Sequence, residues 1–141
     1  EREPGLELMQ DRPTATELLE ALRVFREAGD ADDKSDRARF LVRVAANVAA
    51  IVEREFESGP RLLQEQLSSL AALLGHEITG QLDHAGQLEL FDELSAELSG
   101  RIAGGDADGG PWRQAVLAYL RANVAARLVI DNPGYDAKER A

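Results

Sequence analysis

The pentapeptide Ala-Asn-Val-Ala-Ala occurs twice in this chain, beginning at Ala46 and again at Ala122. When the sequence is shifted along itself by these seventy-six positions, without a gap, 14 of the 36 residues from Glu17 to Val52 are identical to their counterparts. Self-similarity at a fixed offset indicates a duplicated structural unit. The sequence therefore predicts two equivalent units, repeat A at residues 17–52 and repeat B at residues 93–128.

The repeats consist of helical patterns. Apolar residues recur at spacings of three and four in five segments, and no segment alternates with period two for long enough to indicate a strand. The five stripes cover residues 18–25, 40–56, 63–74, 90–102 and 117–128. Because Gly59 and Pro60 normally interrupt a helix, they are expected to separate the second stripe from the third. The prediction is an all-α, five-helix bundle of two duplicated helix hairpins joined by a linking helix.

Several helix ends are specified by local chemistry. Thr14 and Glu17 have the spacing of a capping box, in which each side chain bonds to the backbone amide of the other residue. Gly75 is expected to stop the third helix, and Pro111 suits the first turn of the fifth. Residues 75–87 mix turn formers with polar groups, so they are expected to form a loop.

The domain organisation is expected to be simple. Residues 9–136 are interpreted as one helical domain, a normal size for a single hydrophobic core. Residues 1–8 precede Met9, the only methionine, and are expected to be a disordered N-terminal extension. Residues 137–141 are assigned to a C-terminal tail.

Composition excludes several classes of protein. The formal net charge is -10, which repels phosphate backbones and anionic membrane surfaces, so no nucleic-acid or membrane partner is expected. The chain has no cysteine and therefore neither disulfides nor thiolate metal sites. No apolar run approaches the roughly 20 residues that span a bilayer. A cytoplasmic location is expected.

The repeated asparagines define the candidate ligand-binding residues. Asn47 lies at the edge of its apolar stripe near Arg43, and Asn123 occupies the equivalent position near Arg127. In one interpretation, each asparagine satisfies a neighbouring backbone group and fixes the helix register. In the other, the four side chains converge on an anion such as a carboxylate or phosphate, which guanidinium groups bind well.

No catalytic residue, metal site or cofactor is predicted. The sequence lacks any spacing typical of a nucleophile and base, a metal cluster or a phosphate-binding loop. One loop contains His76, Glu77, Asp83 and His84, but not in the arrangement of a zinc helix. The repeated Asp-x-Asp lacks the glycine and the closing glutamate of a calcium loop.

Four segments carry a resemblance to a known family: MQDRPTATELLEAL, RVAANVAAIVERE, LAALLG and NVAARLVIDNPGY. At these positions the chain resembles an uncharacterised bacterial all-helical domain family over most of residues 9–136. The acidic connection GDADDKSD is not part of that family's pattern. Genes of the family often neighbour aminoglycoside-phosphotransferase-like kinases and acyl-CoA dehydrogenase-like enzymes. The resemblance implies an association with acyl-CoA or hydroxyacyl metabolism, and it brings no known catalytic residues.

These observations favour a non-enzymatic accessory or interaction protein that binds a phosphotransferase-like or acyl-CoA dehydrogenase-like partner. Its acidic surface suits a basic patch on such a partner. The alternative is a binding protein for an acyl or phosphorylated metabolite that uses Arg43, Asn47, Asn123 and Arg127. A homodimer remains open in either case.

Overall fold

The computed structural model describes residues 13–28 and 35–135. Within them lie four helices: α1 (Ala15–Ala28), α2 (Asp36–Leu74), α3 (His84–Ala103) and α4 (Gly110–Asp131). The all-α prediction is confirmed. The predicted extension at 1–8, the tail at 137–141 and the first GDAD segment at 29–32 lie outside the described residues.

Three helix ends have the local features that the sequence predicts. Thr14 and Glu17 form the predicted capping box: the Thr14 amide donates to Glu17 Oε2 at 2.8 Å, and the Glu17 amide donates to Thr14 Oγ1 at 3.2 Å. Gly75 ends α2 in the left-handed conformation, with φ of 79°, a region that glycine enters without steric cost. Pro111 lies in the first turn of α4, also as predicted.

The predicted break at Gly59 and Pro60 is wrong. Both residues lie inside α2, a single helix of 39 residues, so the described residues contain four helices where five were expected. A proline in a helix interior removes one backbone hydrogen bond and costs about 3 kcal/mol or more. Leu62 and Leu63 follow immediately and are buried, and each such burial contributes roughly 1.5–3 kcal/mol. Core packing around the next turn therefore outweighs the defect.

Gly59 has a packing reason to be glycine. It is buried one turn after Glu55, whose carboxylate lies beside it. A Cβ atom at position 59 would lie 3.0 Å from Glu55 Oε1. Glu55 is itself only 2% exposed. The glycine thus marks a place where a buried carboxylate lies close against the helix backbone.

The helices divide into two regions. We call α1 together with residues 36–58 of α2 the arm, and residues 59–74 of α2 together with α3 and α4 the body. Helices α1, α3 and α4 each pack against α2. Nearly all of the buried hydrophobic side chains belong to one cluster, formed by Leu62, Leu63, Leu67, Leu70, Ala71, Phe91, Leu94, Leu98, Val116, Ala126 and Ile130. The arm contributes only a small cluster of Ala15 and Val52 with Leu18 against it.

The structure does not confirm the predicted duplication of helix hairpins. Helix positions correspond: α2 begins at Asp36, and α4 begins near the equivalent position, at Gly110. The packing does not correspond in the same way, because both α3 and α4 pack mainly on α2, which lies outside repeat B. The two units therefore share sequence and helix positions but differ in what covers them.

No helix within residues 13–28 and 35–135 is both long enough and apolar enough to cross a lipid bilayer.

Candidate functional site

A short chain of polar side chains lies in the interface between α2 and α4. Asn123 donates through Nδ2 to Gln66 Oε1 at 3.4 Å, and Arg127 donates through Nε to Asn123 Oδ1 at 3.3 Å. Gln66 is only 7% exposed, so its amide depends on this contact within a largely apolar core. Asn123 therefore joins a buried amide to a guanidinium at the edge of the interface.

Tyr119 lies one turn before Asn123 on α4. Burial raises the pKa of the Tyr119 hydroxyl, against the opposing effects of the Arg127 charge and a hydrogen bond with Asn123. The phenol therefore stays neutral at physiological pH. Tyr119 is a packing residue with an apolar ring and a polar hydroxyl, as expected of a half-buried tyrosine.

The C-terminal end of α4 closes against the arm. Arg54 donates through Nε to the Ile130 carbonyl oxygen at 2.6 Å, which satisfies one of the free carbonyls at the helix end. Burial raises the pKa of the neighbouring Asp131 carboxyl, although Arg127 and Arg54 pull it down. A cavity of about 260 Å³ lies here, lined by Asp131, Glu55, Ile51, Val52, Leu18, Ala15 and Pro13. It is smaller than the roughly 300–1,000 Å³ of typical ligand sites.

The structure brings together only two of the four predicted ligand-binding residues. Asn123 and Arg127 are in contact, whereas Arg43 and Asn47 are exposed on the N-terminal half of α2. Asn47 precedes Gln66 by nineteen residues on one helix, which corresponds to about 28 Å along the helix axis. The four side chains therefore do not converge within one copy of the chain, and an anion bound by all four is not supported. Ligand binding by any one of them remains a prediction.

Two of the polar loop residues contact different parts of the chain. His76 Nε2 lies 2.8 Å from Glu97 Oε2, while Asp83 caps α3 by accepting from the Gly86 amide at 2.9 Å. His76 and Asp83 therefore have different hydrogen-bond partners. Within the part of the chain that the structure describes, no group of three or more histidine, cysteine, aspartate or glutamate residues is arranged to hold a metal ion.

Apolar residues of α2 at seven-residue intervals are buried in the body and exposed in the arm. Leu70 and Leu63 are completely buried, and stepping back by seven residues leads to Phe56, Ala49 and Val42. Phe56 is 44% exposed and Val42 is 59% exposed. Positions seven apart lie almost one above another along a helix. We call Val42, Ala49 and Phe56 the Val42–Phe56 line.

A second line of side chains on the arm part of α2 is also uncovered. Phe40, Val44, Asn47 and Ile51 follow one another at spacings of four, three and four, and we call them the Phe40–Ile51 line. Ile51 still packs against the main core, but Phe40 is 56% and Val44 43% exposed. Val116, the counterpart of Phe40 at the seventy-six-residue offset, is only 2% exposed. Leu120, the counterpart of Val44, is 39% exposed, so α2 and α4 differ at the position of Phe40 and hardly at that of Val44.

Sequence reasoning missed two contributors to this region. Gln66 lies three residues after Leu63 and four before Leu70, so the helical spacing could have placed it in the core stripe. Arg54 bonds to the backbone of Ile130, a contact between chain positions seventy-six residues apart. No pattern in the sequence specifies such a side-chain-to-carbonyl bond.

Comparison with protein families gives a match over most of the chain. The profile of a family described as a domain of unknown function (DUF6285) matches residues 32–135. This stretch covers more than half of the chain, so the chain belongs to that family. It includes α2, α3 and α4, whereas α1 precedes it. No curated protein and no solved structure matches the chain.

Proposed function

We propose that this member of the DUF6285 family is a non-enzymatic accessory protein that binds a protein partner along the arm. The supporting observation is the Val42–Phe56 line. Phe56 lies one heptad before the completely buried Leu63 and is 44% exposed, and Val42, two heptads earlier still, is 59% exposed. An amphipathic helix normally buries its apolar stripe against another element, and contiguous exposed apolar surface marks interaction sites.

The partner suggested by the family resemblance is a phosphotransferase-like or an acyl-CoA dehydrogenase-like protein. Electrostatic attraction would bring such a partner to this chain. Residues 76–108 contain eight acidic residues and one basic residue, and α3 lies within this stretch. A basic patch on the partner would be attracted towards α3, which would speed the encounter more than it would strengthen the final complex. The apolar line would then supply the short-range contact.

The non-enzymatic part of the proposal rests on the sequence, which offers no nucleophile and base at a usable spacing. A small-metabolite binding protein is the weaker alternative. Arg43 and Asn47 lie far along α2 from Asn123 and Arg127, so the four predicted residues do not form one site.

The proposal is tested with a purified phosphotransferase-like protein and a purified acyl-CoA dehydrogenase-like protein from the same organism. We expect one of them to co-elute with this chain in size-exclusion chromatography, and Val42→Glu or Phe56→Glu to abolish the co-elution. Val44→Glu is the matched control, because positions 42 and 44 are about 200° apart around the helix and therefore lie on nearly opposite sides. Co-elution that survives both substitutions, or the lack of co-elution with either protein, contradicts the proposal.

A further inference from the structure

The cavity of about 260 Å³ beside Asp131 lies where α1, α2 and α4 meet. The described residues that line it are mainly apolar: Pro13, Ala15, Leu18, Ile51 and Val52. The other two lining residues, Glu55 and Asp131, have carboxyl groups. A cavity with apolar walls and a few polar groups close together is the usual form of a small-molecule site. The lining therefore indicates which class of ligand would fit.

The two carboxyl-bearing residues lie at one end of the cavity. Arg54 donates through Nε to the Ile130 carbonyl oxygen at 2.6 Å, and Glu55 and Asp131 are the residues that follow these two in the chain. This contact places Glu55 and Asp131 at the same level of α2 and α4. The apolar lining residues of α2 come three and four residues before Glu55, which is about 4.5–6 Å along the helix axis. The cavity thus has an acidic end and an apolar end.

The acidic pair follows the internal repeat of the sequence. Glu55 and Asp131 are seventy-six positions apart, which is the offset that relates Asn47 to Asn123. The two asparagines lie far apart, because Asn123 contacts Gln66, which is about 28 Å along α2 from Asn47. The two acidic residues instead line one cavity. The sequence suggested an anion site at the asparagines, whereas the counterparts that do meet are acidic and suit a cation.

The walls determine which kind of cation fits. A metal ion such as Ca²⁺ takes six to eight oxygen ligands, and hydrocarbon walls supply none. An organic ammonium ion has hydrocarbon of its own. It can bury that part against Leu18, Ile51 and Val52 while its N–H groups donate to the carboxyl oxygens. Asp131 is exposed and Val52 is buried, so a ligand would enter past Asp131 with its hydrocarbon part first.

We infer that this cavity binds a small alkylammonium ion, with its ammonium group beside Asp131 and Glu55 and its hydrocarbon chain at the apolar end. The volume limits the length of the chain. A cavity of roughly 150 Å³ in another protein admits benzene, so this one accommodates a ligand of roughly six to ten non-hydrogen atoms. Burial of the chain supplies affinity, and the two carboxyl groups supply the preference for a cation over a neutral or anionic ligand of the same length.

The environment of Asp131 supports a positively charged ligand. Burial raises the pKa of its carboxyl, because the surroundings stabilise the negative charge less well than water does. Arg127 and Arg54 offset part of this effect, but neither is among the described residues that line the cavity. An ammonium group inside the cavity would stabilise the charge directly, through a charge-assisted hydrogen bond.

Three ligands of the same chain length test the inference on the full chain: hexylamine, hexan-1-ol and hexanoate. We expect hexylamine, which is protonated at neutral pH as lysine is, to bind with a Kd below about 1 mM. The amide NMR signals of residues 15–18 and 51–55 should shift until the site is saturated. Hexan-1-ol should bind at least about tenfold more weakly, and hexanoate should not bind. No saturation by about 10 mM hexylamine, or equal affinity for hexan-1-ol, overturns the inference.

Removal of one charge tests the position of the ammonium group. Asp131→Asn keeps the size of the side chain and should raise the Kd of hexylamine at least about tenfold. Asp92→Asn is the matched control, because Asp92 is an exposed residue of α3 outside the cavity lining and its loss changes the net charge by the same amount. Circular dichroism checks that both variants keep their helices. An equal rise in both variants, or no rise in Asp131→Asn, contradicts the assignment.

This inference does not rest on the proposed accessory function. Val42 lies outside the cavity lining, so Val42→Glu should abolish co-elution with the partner and leave the Kd of hexylamine unchanged. A parent chain that fails to bind hexylamine but co-elutes with its partner contradicts the amine site alone. A chain that binds hexylamine without co-elution contradicts the accessory function alone.

Discussion

The arm and the body are built from the same long helix, yet they bury it to very different degrees. In the body, Leu63 and Leu70 are completely covered, whereas Phe56, one heptad earlier on the same line, is 44% exposed. The apolar pattern of α2 does not change between the two regions. What changes is the packing around it: Leu63 and Leu70 lie in the main cluster, whereas the arm has a small cluster of Ala15 and Val52 with Leu18 against it. An apolar stripe therefore shows which face of a helix can be buried, while topology decides whether it is.

The largest expected effect compares two leucines. Leu63→Ala removes a completely buried side chain from the main core, so the free energy of unfolding should fall by about 2–5 kcal/mol. Leu19→Ala is the matched change on α1, where the side chain is 45% exposed, and should stay within about 0.5 kcal/mol of the parent. Urea denaturation of both variants measures the difference. Similar losses would show that the arm is as well packed as the body.

An intermediate effect is expected from the two asparagines. Asn123→Leu leaves the buried amide of Gln66 without its hydrogen-bond partner and should destabilise the fold by about 1–3 kcal/mol. Asn47→Leu, at the equivalent exposed position, should change stability by no more than about 0.5 kcal/mol. Both values are measured by denaturation followed through Trp112 fluorescence, at a concentration low enough for the chain to be monomeric. Equal losses would mean that Asn47 also has a structural partner within one copy.

The smallest expected effect is a change in how stability depends on pH. Burial raises the pKa of Asp131 above its ordinary 3.8, so the contribution of this residue to stability is complete at low pH and is lost as pH rises through the pKa of the folded state. Relative to the parent, Asp131→Asn should therefore become more stable as pH rises. The pKa of Glu20, on the arm, shifts in the opposite direction, because a hydrogen bond from Arg23 lowers it. The contribution of Glu20 to stability is therefore lost as pH falls.

Unfolding curves across the acid range, for Asp131→Asn and Glu20→Gln beside the parent, measure these slopes. Because both groups are largely in contact with water, the slopes should be shallow. A stability difference between Asp131→Asn and the parent that does not change with pH would show that the carboxyl of Asp131 is not affected by its burial.

Local chemistry in the sequence was enough to predict several helix ends, although α3 begins at His84, inside the loop predicted at residues 75–87. The capping box at Thr14 and the glycine stop at Gly75 depend on neighbouring residues, so a single sequence contains all that is needed. Pro60 was misjudged because its local cost is outweighed by burial of residues that meet only in the folded chain. The prediction that the repeated asparagines belong to one site is not supported for a similar reason. The equivalence of Asn47 and Asn123 in sequence does not specify what lies opposite each side chain.

The length of α2 has a mechanical consequence. At a rise of 1.5 Å per residue its 39 residues span about 58 Å, and they run from the arm into the body without a loop. Helix α2 can therefore act as a lever. Pro60 lies almost at the boundary between the arm and the body. Because proline donates no backbone hydrogen bond, α2 is expected to bend most easily there. A load placed on the arm is expected to reach the contact between Gln66 and Asn123 as a tilt of α2.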